Sequence, residues 1–436
     1  MIVAKLFRGA SAVVMALAVS AFGASTALAQ NFIPLATSPA GEYGGIPYSE
    51  HFGLFAGRTA KGDFVMPYQI FAPTDPSDGN GIVLFEPPHF AYGPTLGRDF
   101  TIGRETLFTR GFSHASVGFS ELQYNILAPI PGLLIAGGPA ELCDPVSMPG
   151  CVAVRDVEIL KQFNVTLATD PYIASVVGPL SARYAFGSSQ SADALLELMY
   201  GSSIEGLFDF TILHLTVWQP KFPTFPTGLP EPGVIPDDFD PVDNVGRVIF
   251  VNAEGDQLIG QSQNLRAAVG HPDYRLFEVA GAPHFSSVNL PQGPGIEFLN
   301  PLDTAPVARA AFVAGHRWAL EGREPPPDAL LAPAPPGQSD PVYDDPSFCG
   351  GITGIARDAN GNAAGGVRLP EIETGQGGYI ACTASPDVLG LPLLGLFIDL
   401  ACEPAPGSDS DKPRFRNHGD YVNVFARQAA LLVQQG

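Results

Sequence analysis

Six short apolar runs, several of them nearly continuous in Val, Ile, Leu and Phe, constrain this chain more than any other feature: GIVLFE (81–86), HASVGFS (114–120), RYAFG (183–187), FDFTILHLT (208–216), RVIFVNA (247–253) and YRLFEVAG (274–281). Runs without polar alternation suit strands covered on both faces, as in a parallel sheet. Helical segments are predicted between them, at about 103–110, 155–163, 172–183, 190–199 and 258–269. Strands alternating with crossover helices predict an α/β fold: a mostly parallel central sheet flanked by helices.

Two stretches break this rhythm. Residues 217–245, VWQPKFPTFPTGLPEPGVIPDDFDPVDNV, are rich in proline, aromatic residues and aspartate. They read as an insertion over the sheet edge, because Trp218, Phe222 and Phe225 require burial or a ligand, and as part of a pocket wall. Their acids, Asp237, Asp238, Asp240 and Asp243, read as a solvated face. Residues 322–341, GREPPPDALLAPAPPGQSDP, predict an extended Pro-rich crossing segment. DANGNAAGGVRLP follows, and then an amphipathic helix near YVNVFARQAALLVQQ. DANGN opens like a calcium loop, but Ala363 and Leu369 occupy the places of its glycine and bidentate glutamate, so a turn is expected, with Arg368 available to pin it to an acid.

At the N-terminus, Lys5 and Arg8 precede an uncharged apolar run that closes with Ala27, Leu28 and Ala29. This is the pattern of a signal peptide over residues 1–29, with a retained membrane anchor as the alternative. The rest of the chain, 30–436, lacks a segment of bilayer-spanning length, so a periplasmic or secreted location is expected. Removing the leader takes away Lys5 and Arg8 and no acid, moving the formal charge from -21 to -23. Such a charge repels phosphate backbones and anionic lipid, which excludes nucleic acid as a partner. The 49 glycines and 43 prolines predict long, stiff loops. Cys143 and Cys151 bracket CDPVSMPGC, a loop that an oxidising compartment would lock as a disulfide. Cys349, Cys382 and Cys402 allow one further bridge, with the pairing open. No C-x-x-C or closely spaced histidine pair occurs, so neither metal nor cofactor is implied.

The stretch YAFGSSQSADALLEL (184–198) carries three serines between a predicted strand and a predicted helix. A nucleophile on a sharp strand-to-helix turn needs small residues two positions before and two after it. Ser188 would have Phe186 and Gln190 there, and Ser191 would lie a full step into the helix. Ser189, between Gly187 and Ser191, is the one that fits; a packing serine at a glycine turn is the competing reading. Its partners should follow in the chain order acid, then histidine. NAEGD places Glu254 and Asp256 after the strand RVIFVNA, and APHFS places His284 after YRLFEVAG. Both lie at strand C-terminal ends, where open α/β sheets build their sites. Asp256 is preferred as the acid because it lies far enough past the strand to turn toward the histidine, and Glu254 is the alternative. His271, His316 and His418 fall at the wrong sheet end or in helical or late segments. An oxyanion hole would take the backbone N–H of Gln190, with a second donor from the loop PPHFAYG. Pro87 and Pro88 have no N–H, so the second donor is His89 or Phe90.

GSSQSA resembles the G-x-S-Q-S-G elbow of exported bacterial proteins grouped as the α/β-hydrolase domain family, the tenth α/β-hydrolase group. FEVAGAPHFS and NAEGD are similar to its histidine and acidic segments, and REPPP with DANGNAAGGVRLP to its C-terminal signature. The resemblance implies an α/β-hydrolase fold, with Ser189 as nucleophile, His284 as base and the acid from Glu254 or Asp256. It further implies that residues 342–436 complete one domain, and that the substrate is a small carboxylic ester. Ala192 and Asp193 stand where relatives commonly carry Gly-Arg, which removes a cation beside the elbow and argues against an anionic substrate. An amidase or lactonase with the same triad is the alternative within enzymes, and a non-catalytic binding protein on this scaffold the alternative outside them.

Overall fold

A computed structural model describes residues 31–60, 62–88, 102–119, 157–201, 206–216, 246–259, 265–266, 268–289, 298–336, 354–381, 394–401, 403–404, 406 and 413–435. The expected signal peptide, His89, Phe90, the insertion with Trp218, Phe222 and Phe225, and all five cysteines, Cys143 and Cys151 included, lie outside the described residues. The chain divides into two compact units: one holds the described residues up to Thr211 together with Gly246, the other those from Ile212 to Thr216 and from Arg247 onward.

The first unit opens with an antiparallel meander, β1 (Asn31–Tyr43), β2 (Ile46–Thr59) and β3 (Gly62–Pro73). Next along its sheet comes β5 (Ser113–Val117), antiparallel to β3; then β4 (Ile82–Phe85), parallel to β5; then β6 (Ala182–Ser188), parallel to β4. The meander has no counterpart among the six apolar runs, because prolines and polar residues interrupt its strands. In β1 these include Pro34 and Pro39, at which the pairing with β2 shifts register. An edge strand tolerates both prolines and bulges, and they blunt its pairing with other chains. By contrast β4 and β5 are buried along their whole length; the polar side chains of β5 find partners there, His114 Nε2 lying 2.9 Å from the Glu86 carboxylate and the Ser116 hydroxyl donating to the Glu86 carbonyl at 2.6 Å.

Among the described residues four helices belong to this unit: α1 (Arg104–Phe108), α2 (Glu158–Leu167), α3 (Pro171–Val177) and α4 (Gln190–Gly201). α2 turns Ile159, Leu160, Phe163 and Leu167 inward. The ring of Phe163 packs 5.1 Å from Phe32 and 5.3 Å, edge-on, from Phe55. Such offset contacts add to the burial of each ring. α3 starts sharply because the Asp170 carboxylate accepts the N–H groups of Tyr172 and Ile173, with Pro171 at the first helical position.

The strand β7 (Phe210–His214) is divided, with its residues from Ile212 in the second unit. There the Leu215 N–H donates to the Val251 carbonyl of β8 (Arg247–Ala253), which runs parallel to β9 (Tyr274–Val279). The outer edge of β9 is covered by later chain: Ala329 exchanges hydrogen bonds with Leu276 and Glu278, and Val367 with Glu278 and Ala280. The Pro-rich segment is thus extended as it passes β9. The helices here are α5 (Glu254–Ile259), α6 (Ala305–Glu321), α7 (Pro370–Glu373) and α8 (His418–Gln435), with a hairpin of β10 (Gly377–Ile380) and β11 (Leu396–Asp399). α5 begins directly after β8 rather than at about 258, which places both acids of EGD in its first turn. α6 buries Val307, Ala311, Phe312 and Trp318, and the guanidinium groups of Arg247 and Arg275 lie 5.6 and 5.2 Å from the Trp318 ring.

DANGN is a turn. The Asp358 carboxylate accepts the N–H groups of Asn360 and Asn362, and Arg368 pins the turn through Asp358 at 2.7 Å and through Glu373.

Candidate active site

In the first unit β6 runs into α4 through one residue. Ser189 has φ 54°, and among the described residues only Ser189 and Leu215 adopt a positive φ without being glycine. This left-handed conformation is unfavourable for a residue with a side chain and persists where the surroundings enforce it. They do so here. A Cβ on Gly187 would stand 2.6 Å from the Ala192 Cα and 2.7 Å from the Ala192 N and the Ser191 O, so strand and helix meet at van der Waals limits. The need for a small residue therefore extends to Ala192, which is fully buried.

The three serines differ in their bonding. Ser188 closes the strand. The Ser191 hydroxyl accepts the Ser188 N–H at 2.8 Å and donates to the Ser188 carbonyl at 2.9 Å, which commits it to the turn. Ser189 occupies the bend itself, and its carbonyl accepts the Asp193 N–H at 3.0 Å. Gln190 is the first residue of α4, so its backbone N–H is one of those an α-helix leaves without an internal partner.

In the second unit, the consecutive residues Glu254, Gly255 and Asp256 engage the loop Gly281–His284 one after another. Glu254 Oε2 accepts the Gly281 N–H at 2.6 Å. The Gly255 N–H donates to the Ala282 carbonyl at 3.0 Å, and a Cβ on Gly255 would meet the His284 N at 2.9 Å. Asp256 Oδ1 lies 2.5 Å from His284 Nδ1, and its Oδ2 accepts the Ala253 N–H at 2.8 Å. Two positions apart on a helix, the two acids point about 200° away from each other, which is why they take different partners. The carboxylate on Nδ1 sets the tautomer of a neutral imidazole and leaves Nε2 as a proton acceptor. Asp256 and His284 are 0 % and 6 % exposed, so little water competes for this bond. Glu254 Oε1 instead meets Arg357 Nη1 at 2.6 Å.

A further histidine escaped sequence reasoning. His214 ends β7, is buried, and places Nε2 2.8 Å from the Thr304 hydroxyl at the start of α6. Burial, and then the proximity of His284, hold its pKa down at about 3, so it is neutral at ordinary pH. Its signal was its place at the C-terminal end of a predicted strand, the criterion that singled out Glu254, Asp256 and His284. Of the other histidines, His271 lies in the turn before β9 and accepts the Asp273 N–H at 3.1 Å, His316 lies within α6, and His418 opens α8.

Among the described residues no helix is long and apolar enough to cross a membrane, and no group of three or more His, Cys, Asp or Glu could hold a metal ion. A search of curated proteins gives no match. Among solved structures, the methylesterase BT1017 aligns over 72% of this chain and 64% of its own, at 14% identity and a TM-score of 0.39. The S-formylglutathione hydrolase from Agrobacterium tumefaciens aligns over 57% of this chain and 89% of its own, at 12% identity and a TM-score of 0.34. The glucuronoyl esterase from Solibacter usitatus aligns over 56% and 73%, at 12% identity and a TM-score of 0.30. The family model of the alpha/beta hydrolase domain matches residues 56–436, and the chain belongs to that family.

Proposed function

We propose that the protein is an exported serine hydrolase that cleaves carboxylic esters through Ser189, His284 and Asp256. The observation that carries the reading is Ser189 at φ 54° between β6 and α4, a strained backbone that a merely packing serine does not need. The buried Asp256–His284 pair supports it, because it supplies an oriented base with Nε2 as acceptor. In this mechanism His284 Nε2 takes the Ser189 hydroxyl proton as Oγ attacks the ester carbonyl. The tetrahedral oxyanion is held by the Gln190 N–H and by a donor from His89 or Phe90. Collapse breaks the bond to the alcohol, which leaves with the proton from His284. Water then attacks the acyl-enzyme by the same route, giving the carboxylic acid and restoring Ser189.

The remaining parts of the proposal rest on sequence. Residues 1–29 direct export to the periplasm or beyond and are removed, Cys143 and Cys151 form a disulfide, and residues 30–436 act as one domain. Trp218, Phe222 and Phe225 line the acyl pocket. The test is hydrolysis of p-nitrophenyl esters from acetate to long chains, with fluorophosphonate labelling and the Ser189→Ala variant alongside. Turnover that vanishes in the variant, with the label on Ser189, is the expected result. Label on another residue, or a folded wild-type protein that turns over no ester and takes no label, would overturn the proposal.

A further inference from the structure

Glu254 is a buried carboxylate that the mechanism above does not use. It accepts the Gly281 N–H at 2.6 Å, and Gly281 is where the chain leaves β9 toward His284, with φ 70°. The carbonyl of the same residue accepts Asn300 Nδ2 at 2.7 Å. Side chains therefore hold Gly281 on both of its backbone polar groups, and they set the direction in which Ala282, Pro283 and His284 depart. The charge of Glu254 is met by Arg357 Nη1 at 2.6 Å, from a segment 103 residues further along the chain. Burying an ion pair is costly, and replacing one by neutral, well-packed groups of similar volume is often neutral or stabilising. The pair therefore calls for an explanation other than stability.

We propose that Glu254 and Arg357 are positioning residues for His284, through which the C-terminal segment fixes the place of the base. Asp256 holds the imidazole and Glu254 holds the backbone that carries it, so the EGD tripeptide controls ring and main chain from one helical turn. Arg357 keeps the Glu254 carboxylate aimed at Gly281. This assignment rests on His284 being the base of the proposed hydrolase.

The test compares wild type with Arg357→Met, Arg357→Lys, Glu254→Gln and the double variant Glu254→Gln/Arg357→Met. The readouts are kcat and KM on p-nitrophenyl acetate per fluorophosphonate-titrated site, together with Tm. Arg368→Met, which breaks the neighbouring turn, serves as the control for general weakening of this segment. For Arg357→Met the expected result is a kcat at least tenfold lower with KM within twofold. Arg357→Lys should recover to within threefold of wild type. The double variant should exceed Arg357→Met, because no unpaired buried charge is left. If Arg357→Met fails to fold, the kcat of Glu254→Gln and of the double variant decides. Wild-type kcat per site in the folded variants, with only Tm lowered as in the control, would overturn the assignment while leaving the hydrolase reading in place. A wild-type protein with neither turnover nor label would remove both.

Discussion

Gly255→Ala separates two effects that oppose each other. As a helix residue, alanine outranks glycine by about 0.8–1.0 kcal/mol, so local propensity predicts a more stable protein. The structure predicts something else. The new methyl would stand 2.9 Å from the His284 N, 3.0 Å from the Ala381 O and 3.4 Å from the Pro283 carbonyl carbon, and all three are main-chain atoms without rotamers to change. Relief requires the His284 backbone to retreat by roughly half an ångström, and overpacking of this kind costs about 1–3 kcal/mol. The Asp256–His284 contact at 2.5 Å would lengthen with the shift, and the imidazole would move with the backbone that carries it. A misplacement approaching 1 Å at a reacting group costs about 10²-fold in rate, or roughly 2.7 kcal/mol of barrier. The expected variant is folded, with Tm unchanged or lower and kcat on p-nitrophenyl acetate about tenfold down per titrated site, half of that barrier for half of that displacement. Wild-type kcat together with a raised Tm would show that the loop yields freely, and would refute the argument that Gly255 sets the position of His284.

Other perturbations test the remaining links. Gly187→Ala should disrupt the elbow, because its Cβ would lie 2.6 Å from the Ala192 Cα; labelling of Ser189 by fluorophosphonate should fall at least tenfold, and unchanged labelling would refute the close-approach argument. Asp256→Asn should lower kcat by about 10⁴-fold at constant KM, through loss of the correct imidazole tautomer; a greater loss in Glu254→Gln would exchange the roles of the two acids. His214 has a folded pKa of about 3 against 6.5 when free, so between these values the unfolded chain binds the extra proton. Its contribution to stability is complete above pH 6.5 and is lost as pH falls toward 3, at about 1.4 kcal/mol per pH unit. His214→Gln should therefore lose less stability than wild type between pH 7.5 and pH 4.5 in urea melts, and parallel losses would refute the buried neutral state.

The parallel strands were legible because burial favours segments rich in apolar residues: β4, β5, β6, β8 and β9 each fall within or beside one. The elbow was legible because sterics at one bend restrict which residues can flank it. The meander β1–β3 was not, since its prolines and partial exposure erase both the apolar run and a clean alternation. The division of labour between Glu254 and Asp256 turned on the start of α5, and element boundaries are what local pattern specifies least. Arg357 could not have been found from sequence, because nothing near it in the chain reports a carboxylate 103 residues away.

The covering of β9 by Ala329 and Val367 also sets an order of events during synthesis. The strand YRLFEV leaves the ribosome well before either of its outer partners exists. At about 10 residues per second the interval lasts several seconds, during which its unpaired amides and carbonyls can template association with other chains. A fragment ending before Ala329 would keep that edge open permanently. It should be recovered as inclusion bodies, even if it contains every residue of the proposed triad.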